Sequence, residues 1–70
     1  MRRYKIAQKV GKGMRRIRNQ KKLSQESVAE GSGIHVATYG RIERGESNAP
    51  LQTLDKIAGA LKVPISDLVK

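Results

Sequence analysis

The chain contains no cysteine, no tryptophan and no phenylalanine, and it has a single histidine. Without cysteine there are no disulfides and no thiolate metal sites. His35 alone cannot build a zinc site, which takes three or four protein ligands, so no metal and no cofactor are expected. Long apolar runs are missing too, and nothing is long enough to span a bilayer. Arg2, Arg3, Lys5, Lys9 and Lys12 interrupt the start, which leaves no apolar region of a signal peptide. The expected setting is a soluble, cytoplasmic one. Seventy residues hold one domain, 1–70, with 1–4 read as a flexible basic arm. A hydrophobic fraction of 37% suffices for a small helical core with little stability in reserve.

Acid is absent from the first third. Residues 1–22 carry ten Lys and Arg and no Asp or Glu, a net +10. Residues 23–70 carry five bases and six acids, a net −1. Charge of one sign concentrated this way marks a polyanion partner, either nucleic acid or an anionic membrane surface. The plain alternative is a solvated basic face that only keeps the protein soluble.

What is present is helical periodicity. Ile6, Val10, Met14 and Ile17 make one stripe on a helix from about Lys5 to Lys22, although Gly11 and Gly13 each weaken its middle by about 1 kcal/mol relative to Ala. Ser24 is a good N-cap for a second helix, Gln25 to about Gly31, with Val28 and Ala29 inward. Gly31-Ser32-Gly33 reads as a turn, since glycine permits positive φ. A third helix spans about Val36 to Arg44, with Tyr39 and Ile42 inward and Gly45 as its stop. After the loop Glu46–Pro50, residues Leu51, Leu54, Ile57, Ala58 and Leu61 form an amphipathic stripe on a fourth helix. Val63-Pro64 breaks the pattern, and Ile65, Leu68 and Val69 make a fifth. The expectation is an all-α bundle of five helices with short loops.

Two short helices joined by a tight glycine turn form a helix-turn-helix. Ala29 faces the second helix of the pair, where a larger side chain would push the two apart. Gly33 sits in the turn, and Ile34, Tyr39 and Ile42 plug the space beneath. Val36, Ala37, Thr38, Gly40 and Arg41 are left on the outer face, on a helix that a DNA major groove is wide enough to admit.

The stretch from Leu23-Ser24-Gln25-Glu26 through Val28-Ala29-Glu30, then Gly33-Ile34 and Arg41-Ile42-Glu43-Arg44-Gly45, resembles the phage repressor/Cro (Xre-type) DNA-binding family. Leu51-Gln52-Thr53-Leu54, Ile57-Ala58, Ala60-Leu61 and Val63 to Leu68 resemble its fourth and fifth helices. Val10-Gly11, Met14-Arg15, Ile17-Arg18 and Lys21 resemble its first. The resemblance covers about residues 10–69 and implies a compact, five-helix, lambda-repressor-like domain with its helix-turn-helix in helices two and three. It implies that Ser24 and Gln25 bond a phosphate, and that Val36, Ala37, Thr38 and Arg41 lie nearest the bases. Arg44 and Asn48 would hold the flanking backbone. His35 would touch a phosphate or act as a plain helix-start residue. Arg18 and Glu43 would form a partly buried, structural ion pair.

Departures from the family pattern sharpen this. Val36 and Ala37 stand where relatives often carry Gln or Arg; they offer no hydrogen bonds but suit thymine methyls. Arg41 is the one long donor on the face, matched to guanine. Gly40 is either a point of close approach to DNA or simply tolerated. Lys22 stands where the family favours glycine. The implied function is a transcriptional regulator binding a near-palindromic operator on double-stranded DNA as a homodimer, located on the nucleoid when bound. A phage repressor, a restriction–modification controller and an antitoxin that represses its own operon and binds a toxin protein remain open. No tail follows Lys70, which counts against the antitoxin, and no separate effector domain fits in the chain.

Other classes fit less well. Gly11-Lys12-Gly13 lacks the length, the Lys-Ser/Thr ending and the preceding strand of a phosphate loop. No catalytic constellation is apparent, so no enzyme is expected. Membrane binding would need the apolar stripe that the core requires, and no membrane partner is expected. Single-stranded RNA readers use stacking aromatics that this chain lacks.

Overall fold

Residues 5–69 are described in this computed structural model, and they form four α-helices followed by a 3-10 helix, with no strand among them. They are α1 (Lys5–Gln20), α2 (Gln25–Ser32), α3 (Val36–Glu43), α4 (Leu51–Leu61) and the 3-10 helix Ile65–Val69. The fifth helix expected from sequence is thus a five-residue 3-10 segment. Pro64 precedes it and supplies the carbonyl that accepts from Asp67 N–H at 3.0 Å. So short a segment is typical of the 3-10 form, which serves as a single turn at helix ends and in connectors. The basic arm read at residues 1–4 lies outside the described residues.

The core is built from Val10, Met14 and Ile17 of α1, Val28 and Ala29 of α2, Tyr39 and Ile42 of α3, and Ile57, Ala58 and Leu61 of α4, closed by Leu68. Leu54 and the expected plug Ile34 pack against it partly buried, and two further expected members stay outside it. Ile6 is 73% exposed and Leu51 is 74% exposed. Both lie in the first turn of their helix, where the stripe runs beyond its packing partners; in α1 only the short Ala7 is covered there. α1 packs on α3 and on the 3-10 helix, while α2 packs on α3 and α4.

Gly11 and Gly13 explain how α1 sits so close. A Cβ on Gly11 would collide with the Glu43 carbonyl oxygen and would lie 2.7 Å from that of Ile42. One on Gly13 would collide with the Leu68 carbonyl oxygen. The lost helix propensity is offset by backbone-to-backbone packing at both ends of the core. Gly31 and Ser32, expected in a turn, continue α2 instead. Ser32 is buried, and its hydroxyl donates to Val28 O at 2.7 Å, which lets a polar residue end the helix inside the fold.

All four α-helices end alike, with paired hydrogen bonds closing a Schellman motif. Lys22 and Leu23 N–H donate to Asn19 and Arg18 O, Gly33 and Ile34 to Glu30 and Ala29, Gly45 and Glu46 to Ile42 and Arg41, and Lys62 and Val63 to Gly59 and Ala58. The left-handed residue is glycine after α2 and α3, but Lys22 and Lys62 hold φ of 59° and 61° after α1 and α4.

Candidate nucleic-acid interface

α3 shows two faces. Tyr39, Gly40, Ile42 and Glu43 are buried, while Val36, Ala37, Thr38 and Arg41 are exposed. The four side chains expected nearest the bases therefore share the open side of the helix. Val36 keeps 41% of its surface exposed. His35 occupies the N-cap position of α3 and makes no side-chain capping bond. Its ring is exposed at the tip of the helix.

The turn before α3 is set by α2. Ser24 caps α2, its hydroxyl accepting from Ser27 N–H at 3.0 Å, so its side chain already has one structural task. Gln25 follows at the first helical position, half-buried. Its Nε2 donates to Glu43 Oε1 at 2.9 Å. Nothing in the sequence signals this contact, because the partners are 18 residues apart and neither is hydrophobic.

Glu43 is the hub. Its side chain has no exposed surface, and Arg18 grips it with Nε to Oε2 at 2.8 Å and Nη2 to Oε1 at 2.9 Å. The same guanidinium donates from Nη1 to Leu23 O at 2.9 Å. One arginine thus joins α1, the α1–α2 turn and α3. Arg15 adds a longer contact to Oε1 at 3.5 Å while remaining half exposed. Burial pushes the Glu43 carboxyl up, but hydrogen bonds led by those of Arg18 and Gln25 outweigh it and hold the pKa at about 2. The Tyr39 hydroxyl is buried beside this pair without a hydrogen bond of good geometry. Desolvation, then the neighbouring carboxylate, drive its pKa upward and keep it neutral.

The side chains of Arg44 and Gln25 both approach Gly40. A Cβ on Gly40 would lie 3.0 Å from Arg44 Nη1 and 3.9 Å from Gln25 Oε1. Gly40, expected on the outer face, is thus buried beneath the exposed arginine that was expected to hold the DNA backbone. Arg44 in turn bonds Glu46 through Nε at 2.9 Å and Nη2 at 3.2 Å, an exposed pair. Asn48 stands apart from this group, on the rim of a small apolar crevice with Ile6, Val10, Ile42 and Leu54. Among the described residues no group of His, Asp and Glu is placed to hold a metal ion. No helix among them is long and apolar enough to cross a membrane.

A family pattern described as helix-turn-helix (HTH_3) matches residues 14–68. The chain belongs to the HTH_3 helix-turn-helix family. The resemblance to phage repressor/Cro-type proteins holds for this HTH_3 chain across most of its length. It is 39% identical to the Serratia marcescens control protein C.SmaI over 91% of this chain and 76% of that protein. It is also 39% identical to the cryptic phage CTXphi transcriptional repressor RstR of Vibrio cholerae, over 80% of this chain. The match spans half the length of RstR. The crystal structure of the restriction-modification controller protein C.AhdI from Aeromonas hydrophila superposes with a TM-score of 0.85 at 37% identity, covering 89% of this chain and 94% of that one.

Proposed function

We propose that this HTH_3 chain is a sequence-specific, double-stranded DNA-binding transcriptional regulator that occupies a near-palindromic operator as a homodimer. The observation that carries this reading is the two-faced α3: Val36, Ala37, Thr38 and Arg41 open to solvent, with Tyr39, Ile42 and Glu43 anchoring the other side. In the major groove Arg41 would pair with guanine, and Val36 and Ala37 would pack on thymine methyls. Ser24, Gln25, His35, Arg44 and Asn48 would hold flanking phosphates, which position a protein without reading sequence. Two copies of α3 would enter grooves about 34 Å apart, one turn of duplex. A control protein of the restriction–modification kind is favoured by the likeness to C.SmaI and by the 94% coverage of C.AhdI.

Selection from a randomised duplex pool at near-physiological salt tests the reading. Enrichment of a two-fold symmetric site, with thymines placed opposite Val36 and Ala37, is the expected result. Salt-sensitive binding with no enriched sequence would reduce the function to attraction between polyions.

A further inference from the structure

An open cleft of about 370 Å³ lies between the middle of α1 and the end of α3, lined by Gln8, Lys12, Arg15, Glu43 and Arg44. Three cations therefore line it, and the one acid there, Glu43, has no exposed side-chain surface. That carboxylate is already taken: Arg18 and Gln25 bond both Glu43 oxygens at 2.8–2.9 Å, leaving Arg15 a contact of 3.5 Å. Lys12 is exposed and has no ion pair among the described residues. The third cation, Arg44, is held by Glu46, but both side chains of that pair are about half exposed. Such an exposed pair adds little to stability, and its acid is readily exchanged for another anion. The excess positive charge of the cleft is thus unsatisfied inside the protein.

Arg44, at the end of α3, links the cleft to Gly40, which Gln25 at the start of α2 also approaches. The cleft is held in shape by the backbone contact at Gly11 and by the close approach of Gly45 to Gln8, where a Cβ would lie 2.6 Å from Gln8 Cγ. We infer that Lys12, Arg15 and Arg44 form a binding site for a backbone phosphate of the DNA duplex, on the α1 side of the groove that α3 enters. The inference rests on the DNA-binding reading above and extends the contact surface to two α1 side chains. A phosphate oxygen replaces the Glu46 carboxylate as acceptor for Arg44, while Lys12 supplies a point charge and Arg15 a second guanidinium.

The test is a salt titration on the duplex recovered by selection, with wild type, Lys12→Gln and Lys56→Gln. Lys56 is exposed on α4, outside the cleft, and loses the same charge. Removing one phosphate contact from each protomer of the homodimer reduces the magnitude of the slope of log K against log salt by about 1.8, twice the roughly 0.9 of a single contact. Lys12→Gln should show that decrease, bind all duplexes more weakly, and keep the wild-type base preferences. Lys56→Gln should keep the wild-type slope. A neutral methylphosphonate linkage placed in turn at each position should weaken wild type at one linkage where Lys12→Gln loses nothing more. An unchanged slope for Lys12→Gln, or equal decreases for both variants, overturns the inference while leaving the recognition helix standing. Absence of salt-dependent duplex binding by wild type overturns the DNA-binding reading itself. Thermal melting of each variant separates these results from misfolding, and Arg15→Gln provides a second removal in the same cleft.

Discussion

Gln25 Nε2 donates to Glu43 Oε1 at 2.9 Å, joining the first residue of α2 to the last residue of α3. The side chain expected on a phosphate is therefore also part of the frame that sets the angle of the helix-turn-helix. The second Nε2 hydrogen is left to donate, and the Gln25 backbone N–H lies at the helix start, where an anion is favoured.

Gln25→Ala should weaken binding to all duplexes by similar amounts, whereas Arg41→Ala should relax preference at one base pair, worth about 1–3 kcal/mol of discrimination. Arg41 is exposed and outside the core, so its removal should leave helix content unchanged. Competition binding against single-base variants of the selected site separates the two. Wild-type affinity and preference in Arg41→Ala would mean that the recognition face lies elsewhere.

Glu43 should make stability depend on acid. Its pKa is lowered from 4.5 unfolded to about 2 folded. Its contribution is therefore fully present above about pH 4.5 and is lost as pH falls through about 2, amounting to about 3 kcal/mol for the buried carboxylate. Urea midpoints between pH 6 and 2 should fall for wild type and stay flatter for Glu43→Gln. At neutral pH Glu43→Gln should cost about 3 kcal/mol, because Arg18 loses its ionised partner. A domain of this size has about 4–10 kcal/mol in total, so the change is large.

Two glycines in helices should respond oppositely to alanine. Gly11→Ala should destabilise by about 2 kcal/mol, because the added methyl meets the carbonyls of Glu43 and Ile42. Gly59→Ala should stabilise by about 1 kcal/mol, since nothing lies within 4 Å of the new atom. Differential scanning calorimetry gives both signs in one series.

Lys22 and Lys62 hold left-handed backbone that a side chain disfavours. Lys22→Gly and Lys62→Gly should each raise stability by about 0.5–1 kcal/mol, with the gains adding, since the strain relieved exceeds the flexibility gained when unfolded. A lowered melting temperature in either variant would show that the lysine side chain stabilises its turn.

Sequence by itself determined the order of the four α-helices, the Ser24 cap and the exposure of Val36, Ala37, Thr38 and Arg41 on α3, though not the burial of Gly40. These follow from local rules: apolar spacing, Ser24 before a helix, glycine or its stand-in after one. Pattern also isolated the basic first third, because charge is countable without coordinates. Tertiary structure alone decided which apolar residues are core, since Ile6 and Leu51 satisfy the period but stay mostly exposed in the first turn of their helices. It decided that Gly11 and Gly13 serve close packing, that the last helix is 3-10, and that Gly31-Ser32 belongs to α2. It also brought Lys12, Arg15 and Arg44 around one cleft and placed Gln25 on Glu43. Those relationships join residues far apart in the chain, and only the packed backbone sets which of them meet.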